Sequence, residues 1–328
     1  MKLGSERSGR DGRLVVVSRD LTRVVAAEGI AATLQEALDR WDEVRSGLED
    51  LYRSLNDGDC PGARPFRPRD MAAPLPRAWQ WLDGSAYPSH GELMQKAFRL
   101  PPIETDRPLM YQGMSHNFFG PTEDVPLPDE ADGIDFEGEL GVITDDVPMG
   151  TSADMALAYV RLLVQINDWS LRTIAPVEMK TGFGWIQAKP ACSLAPVAVT
   201  PDELGDAWRD GRITGRLDVE LNGERFGTVP TQGMEFGFHE LIAHAARSRA
   251  LCAGTIIGSG TVSSPDFRAT GSCCLAERRA IETIEQGAPQ TAFLNFGDRV
   301  RMTSVVGEQG PLFGSVDQQV VEQQSSRR

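Results

Sequence analysis

Two glutamates separated by a single residue are the local feature that most suggests chemistry. Glu137 and Glu139 lie within residues 135–143, an otherwise mostly apolar run that fits a strand. In a strand, alternate side chains share a face, so both carboxylates would lie side by side. Because adjacent carboxylates repel, burying them requires a cation, and Mg²⁺, Ca²⁺ and Mn²⁺ prefer oxygen ligands. Taken alone, the pair also fits a solvated strand face.

Two further side chains could serve as a ligand and a proton carrier. Asp168 ends the apolar run 162–167 and precedes Trp169. A carboxylate in this place can face a cleft, although it also fits a turn or a helix cap. His90 is one of four histidines in the chain. An imidazole oriented by a carboxylate can act as a general base, but a lone histidine more often has no chemical role.

Three common catalytic patterns are missing from the sequence. His239, Glu240 and His244 form HExxxH rather than HExxH, so the two imidazoles would lie about 140° apart on a helix. The chain has no GxSxG nucleophile elbow. The pair Gly258 and Gly260 lacks the third glycine of a dinucleotide fingerprint. A zinc peptidase, a serine hydrolase and a dinucleotide-binding fold are therefore disfavoured.

A strand, a helix and a linker are expected at the start of the chain. Residues 14–17 are typical of a strand, and Thr33 with Glu36 fits a capping box. The amphipathic helix that follows should end near Asn56 and Gly58. Residues 57–76 are rich in Pro, Gly and Arg, as in a linker. We therefore predict a small N-terminal domain over residues 1–70 and a larger domain over residues 71–328.

The larger domain is expected to be mostly β. Leu217, Val219 and Leu221 alternate up to Asn222-Gly223, which is a strong hairpin signal. Residues 198–200, 254–258 and 298–306 are further strand candidates. Residues 153–163 and 238–248 predict helices. The fold class predicted from these patterns is α+β, mostly β.

The composition limits the kinds of binding partner and the cellular location that we expect. The chain of 328 residues is 41% hydrophobic and 24% charged, with a net charge of −14. This acidity without a basic stripe disfavours nucleic acid and anionic membranes. No apolar stretch reaches about 18 residues, and residues 1–13 lack the apolar core of a signal peptide. Five cysteines without CxxC spacing predict reduced thiols, so we expect a cytoplasmic protein.

Several ordered segments resemble the fumarylacetoacetate hydrolase family, especially its bacterial two-domain members. The resemblance runs from about Leu14 to Val320 and rests on the order and spacing of LPRAWQWLDGSAYPSH, DFEGELGVI, NDWSLR, QAKP, GSGTVSS, SCCLAER, NFGDRVRM and LFGSVDQQV. It implies a small β-rich N-terminal domain on a mixed β-roll catalytic domain. It also implies a homodimer.

The resemblance further implies a set of site residues. A divalent cation (Mg²⁺, Ca²⁺ or Mn²⁺) would be held by Asp83, Glu137, Glu139 and Asp168. Catalytic roles would fall on His90, Glu277, Lys189 and Arg172. Substrate contacts would fall on Tyr111, Gly260 and Thr261.

These roles imply metal-dependent hydrolysis of a carbon–carbon bond in a 1,3-diketo acid, such as fumarylacetoacetate or an acylpyruvate. His90, oriented by Glu277, would take a proton from water, and Lys189 would stabilise the oxyanion. The same site could instead serve a decarboxylase, a hydratase or an isomerase acting on a 2-oxo acid. A non-catalytic relative with a binding role is the remaining alternative.

Three departures from the family pattern leave the substrate open. Ala175 replaces a Gln and Ser85 replaces a Tyr of the best-known members. Residues 113–117 also depart, and His116 among them either adds a titratable group to the pocket or lies on the surface. The resemblance therefore does not decide between aromatic catabolism and a more specialised pathway.

Overall fold

A computed structural model describes residues 1–99, 101, 105–307 and 310–324 of the chain. The strands in these ranges are β1 (Lys2–Glu6), β2 (Arg13–Val17), β3 (Arg23–Ala26), β4 (Arg64–Pro65), β5 (Trp81–Gly84), β6 (Met110–Gly113), β7 (Val125–Leu127), β8 (Ile134–Asp135), β9 (Gly138–Thr144), β10 (Val160–Asn167), β11 (Ser170–Leu171), β12 (Ser193–Leu194), β13 (Ala198–Val199), β14 (Trp208–Arg209), β15 (Arg212–Ile213), β16 (Arg216–Leu221), β17 (Glu224–Pro230), β18 (Ile256–Gly258), β19 (Arg299–Val305) and β20 (Pro311–Glu322). The helices are α1 (Leu34–Asp39), α2 (Trp41–Asp57), α3 (Pro88–Phe98), α4 (Ala153–Ala156), α5 (Ala175–Thr181), α6 (Phe238–Ala245), α7 (Phe267–Thr270) and α8 (Leu275–Gln286).

Two sheets build most of the molecule. The large sheet has the order β4-β3-β2-β1-β13-β10-β9-β18-β5-β6, with β12 attached to β10. A five-stranded sheet has the order β17-β16-β19-β20-β7. Leu140 and Leu163 of the large sheet share one buried core with Val219 and Met302 of the smaller sheet. The predicted fold class, α+β and mostly β, is confirmed.

The N-terminal segment extends the large sheet. Strand β1 pairs with β13 through Lys2 opposite Val199 and Leu3 opposite Ala198. Thr33 caps α1 by accepting a hydrogen bond from the Glu36 amide at 3.1 Å. The single helix predicted after Thr33 is wrong in one respect, because the backbone leaves the helical region at Arg40 and separates α1 from α2. The domain division at residue 70 stays a prediction.

The predicted helix over residues 153–163 is mostly wrong. Helix α4 ends at Ala156, a 3₁₀ turn spans Leu157–Tyr159, and β10 begins at Val160. Residues 162–167 are all fully buried in the sheet. A strand buried on both faces has a continuous apolar run, which periodicity does not distinguish from a buried helix.

The predicted hairpin and the other predicted helix are present. Asn222 and Gly223 connect β16 to β17 with φ of 55° and 80°, which is the left-handed backbone of a tight hairpin turn. Helix α6 occupies most of residues 238–248. Among the described residues, no helix has the length and apolar content needed to cross a membrane.

Candidate metal centre and catalytic pair

Three buried carboxylates meet where neighbouring strands of the large sheet end. Asp83 lies on β5, Glu139 lies on β9, and Asp168 directly follows β10. In the sheet order, β18 separates β5 from β9, and β9 is adjacent to β10. One oxygen of each carboxylate lies within 4.8 Å of one oxygen of the other two. The side chains are 4%, 0% and 0% exposed, so water does not screen their repulsion.

The electrostatics of this cluster fit a divalent cation. Neither carboxylate oxygen of Glu139 has a hydrogen-bond partner among the described residues. Burial, together with the neighbouring Asp168 carboxylate, raises the pKa of Asp83 well above its usual range. Burial and the Asp83 carboxylate do the same to the pKa of Glu139. A hard cation bound by these oxygens would offset both the cost of burying the carboxylates and their mutual repulsion.

Glu137 lies beside this cluster and is held by two cations of the protein. Arg172 donates through Nη2 to Glu137 Oε1 at 2.5 Å. Lys189 donates through Nζ to Glu137 Oε2 at 2.6 Å. Burial alone would raise the pKa of Glu137, but Lys189 and Arg172 hold it below its usual value. The structure therefore groups three of the four predicted ligands and places Glu137 in ion pairs next to them.

Asp168 accepts hydrogen bonds from three side chains. Its Oδ2 accepts from Lys189 Nζ at 2.6 Å and from Tyr111 Oη at 2.6 Å. Its Oδ1 accepts from Cys192 Sγ at 3.0 Å. Although burial alone would lower the pKa of Lys189, the carboxylates of Asp168 and Glu137 raise it above its usual value. Lys189 is thus a charged ammonium that links Glu137 to the cluster.

His90 and Glu277 form a second pair of side chains, close to Glu137, whose backbone bridges to Cys274 at the start of the helix that carries Glu277. His90 lies near the start of α3, where Pro88 occupies the first turn, and Glu277 lies in the first turn of α8. His90 Nδ1 is 3.0 Å from Glu277 Oε1. The side chain of Glu277 is 1% exposed, whereas that of His90 is 19% exposed. The structure therefore brings these two predicted catalytic residues together and leaves the imidazole partly accessible to solvent.

Asp135 connects the side chain of Arg172 to helix α8. Its Oδ2 accepts hydrogen bonds from Arg172 Nε at 2.8 Å and from the Ala276 amide at 2.9 Å. Its Oδ1 accepts from the Leu275 amide at 2.7 Å. Asp135 therefore satisfies free amides at the start of the helix that carries Glu277. Sequence reasoning missed this role, and the adjacent ExE pair was its only signal.

Gly260 and Thr261 lie on a loop that contacts Asp83. The Gly260 amide donates to Asp83 Oδ1 at 3.1 Å. Its φ is 76°, and a Cβ at this position would come within 2.4 Å of the Gly84 carbonyl oxygen. Glycine is therefore required both by the backbone conformation and by the close approach. Thr261 is buried beside it, at 5% exposure.

The positions that depart from the family pattern lie at the edge of the site or outside it. Ser85 and His116 are exposed, so His116 lies on the surface. Ala175 is the first residue of α5, in the segment between Arg172 and Lys189. Trp185 in the same segment packs edge-on against Tyr111, with ring centroids 6.1 Å apart. Trp185, like Cys192, was not among the predicted site residues.

Two family models together match almost the whole chain. Residues 80–321 match the family described as Fumarylacetoacetate (FAA) hydrolase C-terminal, and residues 1–77 match Fumarylacetoacetase N-terminal domain 2. The fold and the carboxylate cluster define a sheet-based protein with a candidate cation centre. The chain belongs to the fumarylacetoacetate hydrolase family.

Two curated relatives share about half of their length with this chain. It is 33% identical over 165 residues to the 2,4-didehydro-3-deoxy-L-rhamnonate hydrolase of Sphingomonas sp. (strain SKA58), covering 49% of this chain and 54% of that protein. It is 27% identical over 157 residues to the mitochondrial oxaloacetate tautomerase Fahd2a of Rattus norvegicus, covering 47% of this chain and 48% of that protein.

Solved structures share the fold along almost the entire chain. Fumarylacetoacetate hydrolase from psychrophilic Exiguobacterium antarcticum superimposes with a TM-score of 0.68 at 17% identity, covering 98% of this chain and 100% of that one. Maleylpyruvate hydrolase from Sphingobium sp. SYK-6, in complex with manganese (II) ion and pyruvate, gives 0.66 at 18% identity, covering 99% and 100%. At these identities the likeness shows the fold alone.

Proposed function

We propose that this protein is a divalent-cation-dependent hydrolase that cleaves a carbon–carbon bond in a small 1,3-diketo acid, such as an acylpyruvate or fumarylacetoacetate. The observation that carries the proposal is the cluster of Asp83, Glu139 and Asp168 beside the His90–Glu277 pair. The cluster supports binding of a cation, and the pair supports activation of water. The names of the hydrolase relatives agree with this reaction class.

Asp83, Glu139 and Asp168 would hold the proposed cation, with Glu137 as a further candidate ligand. When bound, a divalent ion such as Mg²⁺, Ca²⁺ or Mn²⁺ supplies Lewis acidity and a template for the oxygens of an oxo acid. Glu139 supports this assignment most directly, because both of its buried oxygens lack a partner among the described residues. The relative whose title names manganese (II) and pyruvate makes Mn²⁺ a sensible first ion to test.

His90 is the proposed general base. If the Glu277 carboxylate accepts the Nδ1 proton, Nε2 is left with a free lone pair. That nitrogen can take a proton from a water molecule as the water attacks a carbonyl carbon. The buried Glu277 fixes the tautomer and the ring orientation, and stabilises the imidazolium that forms.

Lys189 is the proposed oxyanion donor. An ammonium has three donors, and Lys189 uses two of them on Glu137 and Asp168. The third can donate to the oxygen of the tetrahedral intermediate, which is where charge develops. Arg172 is a proposed positioning residue, because it holds Glu137 against Lys189 and joins Asp135 to the same network.

Tyr111, Gly260 and Thr261 are the proposed substrate contacts. Tyr111 supports this role by lying against both Asp168 and Lys189, whose Nζ is 5.5 Å from the ring centroid. Gly260 and Thr261 support it through the hydrogen bond of their loop to Asp83. The predicted homodimer, the cytoplasmic location and the division at residue 70 also remain proposals.

The second candidate function uses the same site without cleavage. A relative named as an oxaloacetate tautomerase favours proton transfer on a 2-oxo acid, with His90 moving a proton to and from carbon. Decarboxylation, hydration or isomerisation of a 2-oxo acid would need the same carboxylate cluster. The His90–Glu277 pair suits water activation, so we place hydrolysis first. A non-catalytic binding role is disfavoured by the complete carboxylate cluster.

Product analysis distinguishes these reactions. Purified protein with Mn²⁺ or Mg²⁺ would be incubated with acylpyruvates, fumarylacetoacetate and oxaloacetate, and all products would be identified by chromatography and mass. Two carboxylic acids per diketo acid consumed would support hydrolysis. Release of CO₂, or enol–keto exchange without loss of carbon, would replace hydrolysis by decarboxylation or tautomerisation.

A further inference from the structure

Cys274 is a buried thiol beside the proposed general base that the mechanism does not use. Ligand atoms of His90, Cys274 and Glu277 all lie within 4.8 Å of one another. Cys274 is 0% exposed and Glu277 is 1% exposed, so the imidazole is the most accessible member of the group. A nitrogen, a sulfur and a carboxylate oxygen thus lie close together.

The backbone around Cys274 holds the thiol in this place. Cys274 is the N-cap of α8, and its Sγ accepts a hydrogen bond from the Glu277 amide at 3.4 Å. An isolated antiparallel bridge joins Cys274 to Glu137. Helix α3, which carries His90, packs on α8 through Leu93, Ala280 and Ile281. The three side chains are therefore positioned by secondary structure.

The donor set differs in kind from that of the carboxylate cluster. Asp83, Glu139 and Asp168 offer only hard oxygens, which suit Mg²⁺, Ca²⁺ and Mn²⁺. An imidazole, a thiolate and a carboxylate suit Zn²⁺ and similar ions, in a site that leaves a fourth position open to water. Ligand atoms around tetrahedral zinc lie about 3.5 Å apart. His90 Nδ1 and Glu277 Oε1 are already 3.0 Å apart, and the partly exposed His90 can adjust most easily to bring the Cys274 thiol into range.

We propose that His90, Cys274 and Glu277 form a second cation site, selective for Zn²⁺-like ions, whose occupation stops turnover. Binding replaces the Sγ proton of Cys274, which is released to solvent, by a metal–sulfur bond. It also removes the His90 lone pair from proton transfer. The proposal of metal binding rests only on the placement of His90, Cys274 and Glu277. The proposal of inhibition also rests on the proposed function of His90.

Cobalt spectroscopy tests the binding part without any activity measurement. Co²⁺ would be added to the full-length protein in excess Mg²⁺, and sulfur-to-cobalt charge-transfer absorption would be recorded in the near ultraviolet. The variant is Cys274→Ser, because serine keeps the helix cap. The matched control is Cys273→Ser, which removes the adjacent buried thiol outside the cluster. If that control does not fold, Cys252→Ser at an exposed thiol replaces it.

The proposal expects the band in wild type and in the control, and its loss in Cys274→Ser. No band in wild type, or a band that survives in Cys274→Ser, would overturn the site. For the inhibitory part, Zn²⁺ should stop cleavage of an acylpyruvate. Cys274→Ser should need at least about 10-fold more Zn²⁺, because losing even an outer partner of a ligand lowers metal affinity about 10–100-fold. Equal sensitivity of the two proteins would overturn the inhibition. If wild type shows the band but does not cleave the acylpyruvate in Mg²⁺ alone, the proposed hydrolase function is refuted. The proposed metal site is then still supported.

Discussion

His90 and Glu277 are 187 positions apart in the chain, yet His90 Nδ1 and Glu277 Oε1 are 3.0 Å apart. Each side chain stands in the first turn of its own helix, and the two helices pack together through an apolar contact. Such a pair is built by tertiary structure, and it gives the imidazole both an orientation and a counter-charge.

Replacing His90 should separate turnover from metal binding. Because His90 is the proposed base but lies outside the three-carboxylate cluster, we expect His90→Ala to lower the rate of diketo-acid cleavage by about 10²–10⁴-fold. Binding of Mn²⁺, measured by titration calorimetry, should stay close to that of wild type. His116→Ala is the matched control, since His116 is exposed. Normal turnover in His90→Ala would refute its role.

Replacing Glu139 should remove the cation without unfolding the protein. Burial and the Asp83 carboxylate raise the pKa of Glu139. Glutamine keeps the shape of this side chain and removes the charge that is repelled in the metal-free protein, so it is a close substitute. A bound cation at 100 times its Kd adds about 2.7 kcal/mol to the free energy of unfolding. We expect Glu139→Gln to lose this gain in thermal unfolding with Mn²⁺. The control Glu92→Gln, at an exposed position, should keep it. Retention of the full gain in Glu139→Gln would contradict the assignment.

Lys189 should be important for stability as well as for chemistry. Its ammonium contacts Glu137 and Asp168, and all three side chains are at least nine-tenths buried. Lys189→Met would leave both carboxylates without this partner, at a cost of about 3–5 kcal/mol in the free energy of unfolding. The exposed Lys180→Met should change it by less than about 0.5 kcal/mol. Urea denaturation without metal measures the free energy of unfolding of both variants. Equal stability of the two would contradict a stabilising role for the ion pairs of Lys189.

Lys2 should give the stability a dependence on alkaline pH. Lys2 is 2% exposed and donates to the Leu312 carbonyl oxygen, and burial lowers its pKa to about 8. The unfolded chain holds this proton up to about pH 10.4, so the free energy of unfolding should rise between about pH 8 and 10. Below about pH 8 this group gives no slope.

The matching variants isolate this contribution. Lys2→Met removes the titrating group, so any advantage in unfolding free energy over wild type should shrink as pH rises from about 8 to 10. Exposed Lys96→Met should show a constant difference over the same range. Urea denaturation at several pH values decides the matter, and parallel curves for Lys2→Met and wild type would show that Lys2 titrates normally.

The family and the fold class could be predicted from the sequence, whereas several of the elements that carry the candidate site could not. The hairpin after Leu221 follows from a local pattern, since alternation that ends at Asn-Gly is a short-range signal. Strand β10 was predicted as partly helical because a strand buried on both faces has no alternation. Helices α3 and α8, which carry His90 and Glu277, were not predicted, and the pair followed only from the family resemblance.

The details of the site depend on contacts between distant segments. Nothing local distinguishes Glu137, which binds Arg172 and Lys189, from Glu139, whose oxygens lack partners among the described residues. The thiols of Cys192 and Cys274 are likewise ordinary in sequence. Their roles depend on the approach of Asp168 and of His90, which only the fold determines.

Metal-dependent cleavage is tested by measuring turnover of an acylpyruvate by metal-stripped protein before and after Mn²⁺ is restored. Loss of the diketone absorbance and release of pyruvate would be followed together. We expect negligible cleavage by the stripped protein and recovery as about one ion binds per chain, with two acids formed per substrate. Full turnover by the stripped protein, or a metal-loaded protein that cleaves no diketo acid, would contradict the proposed function.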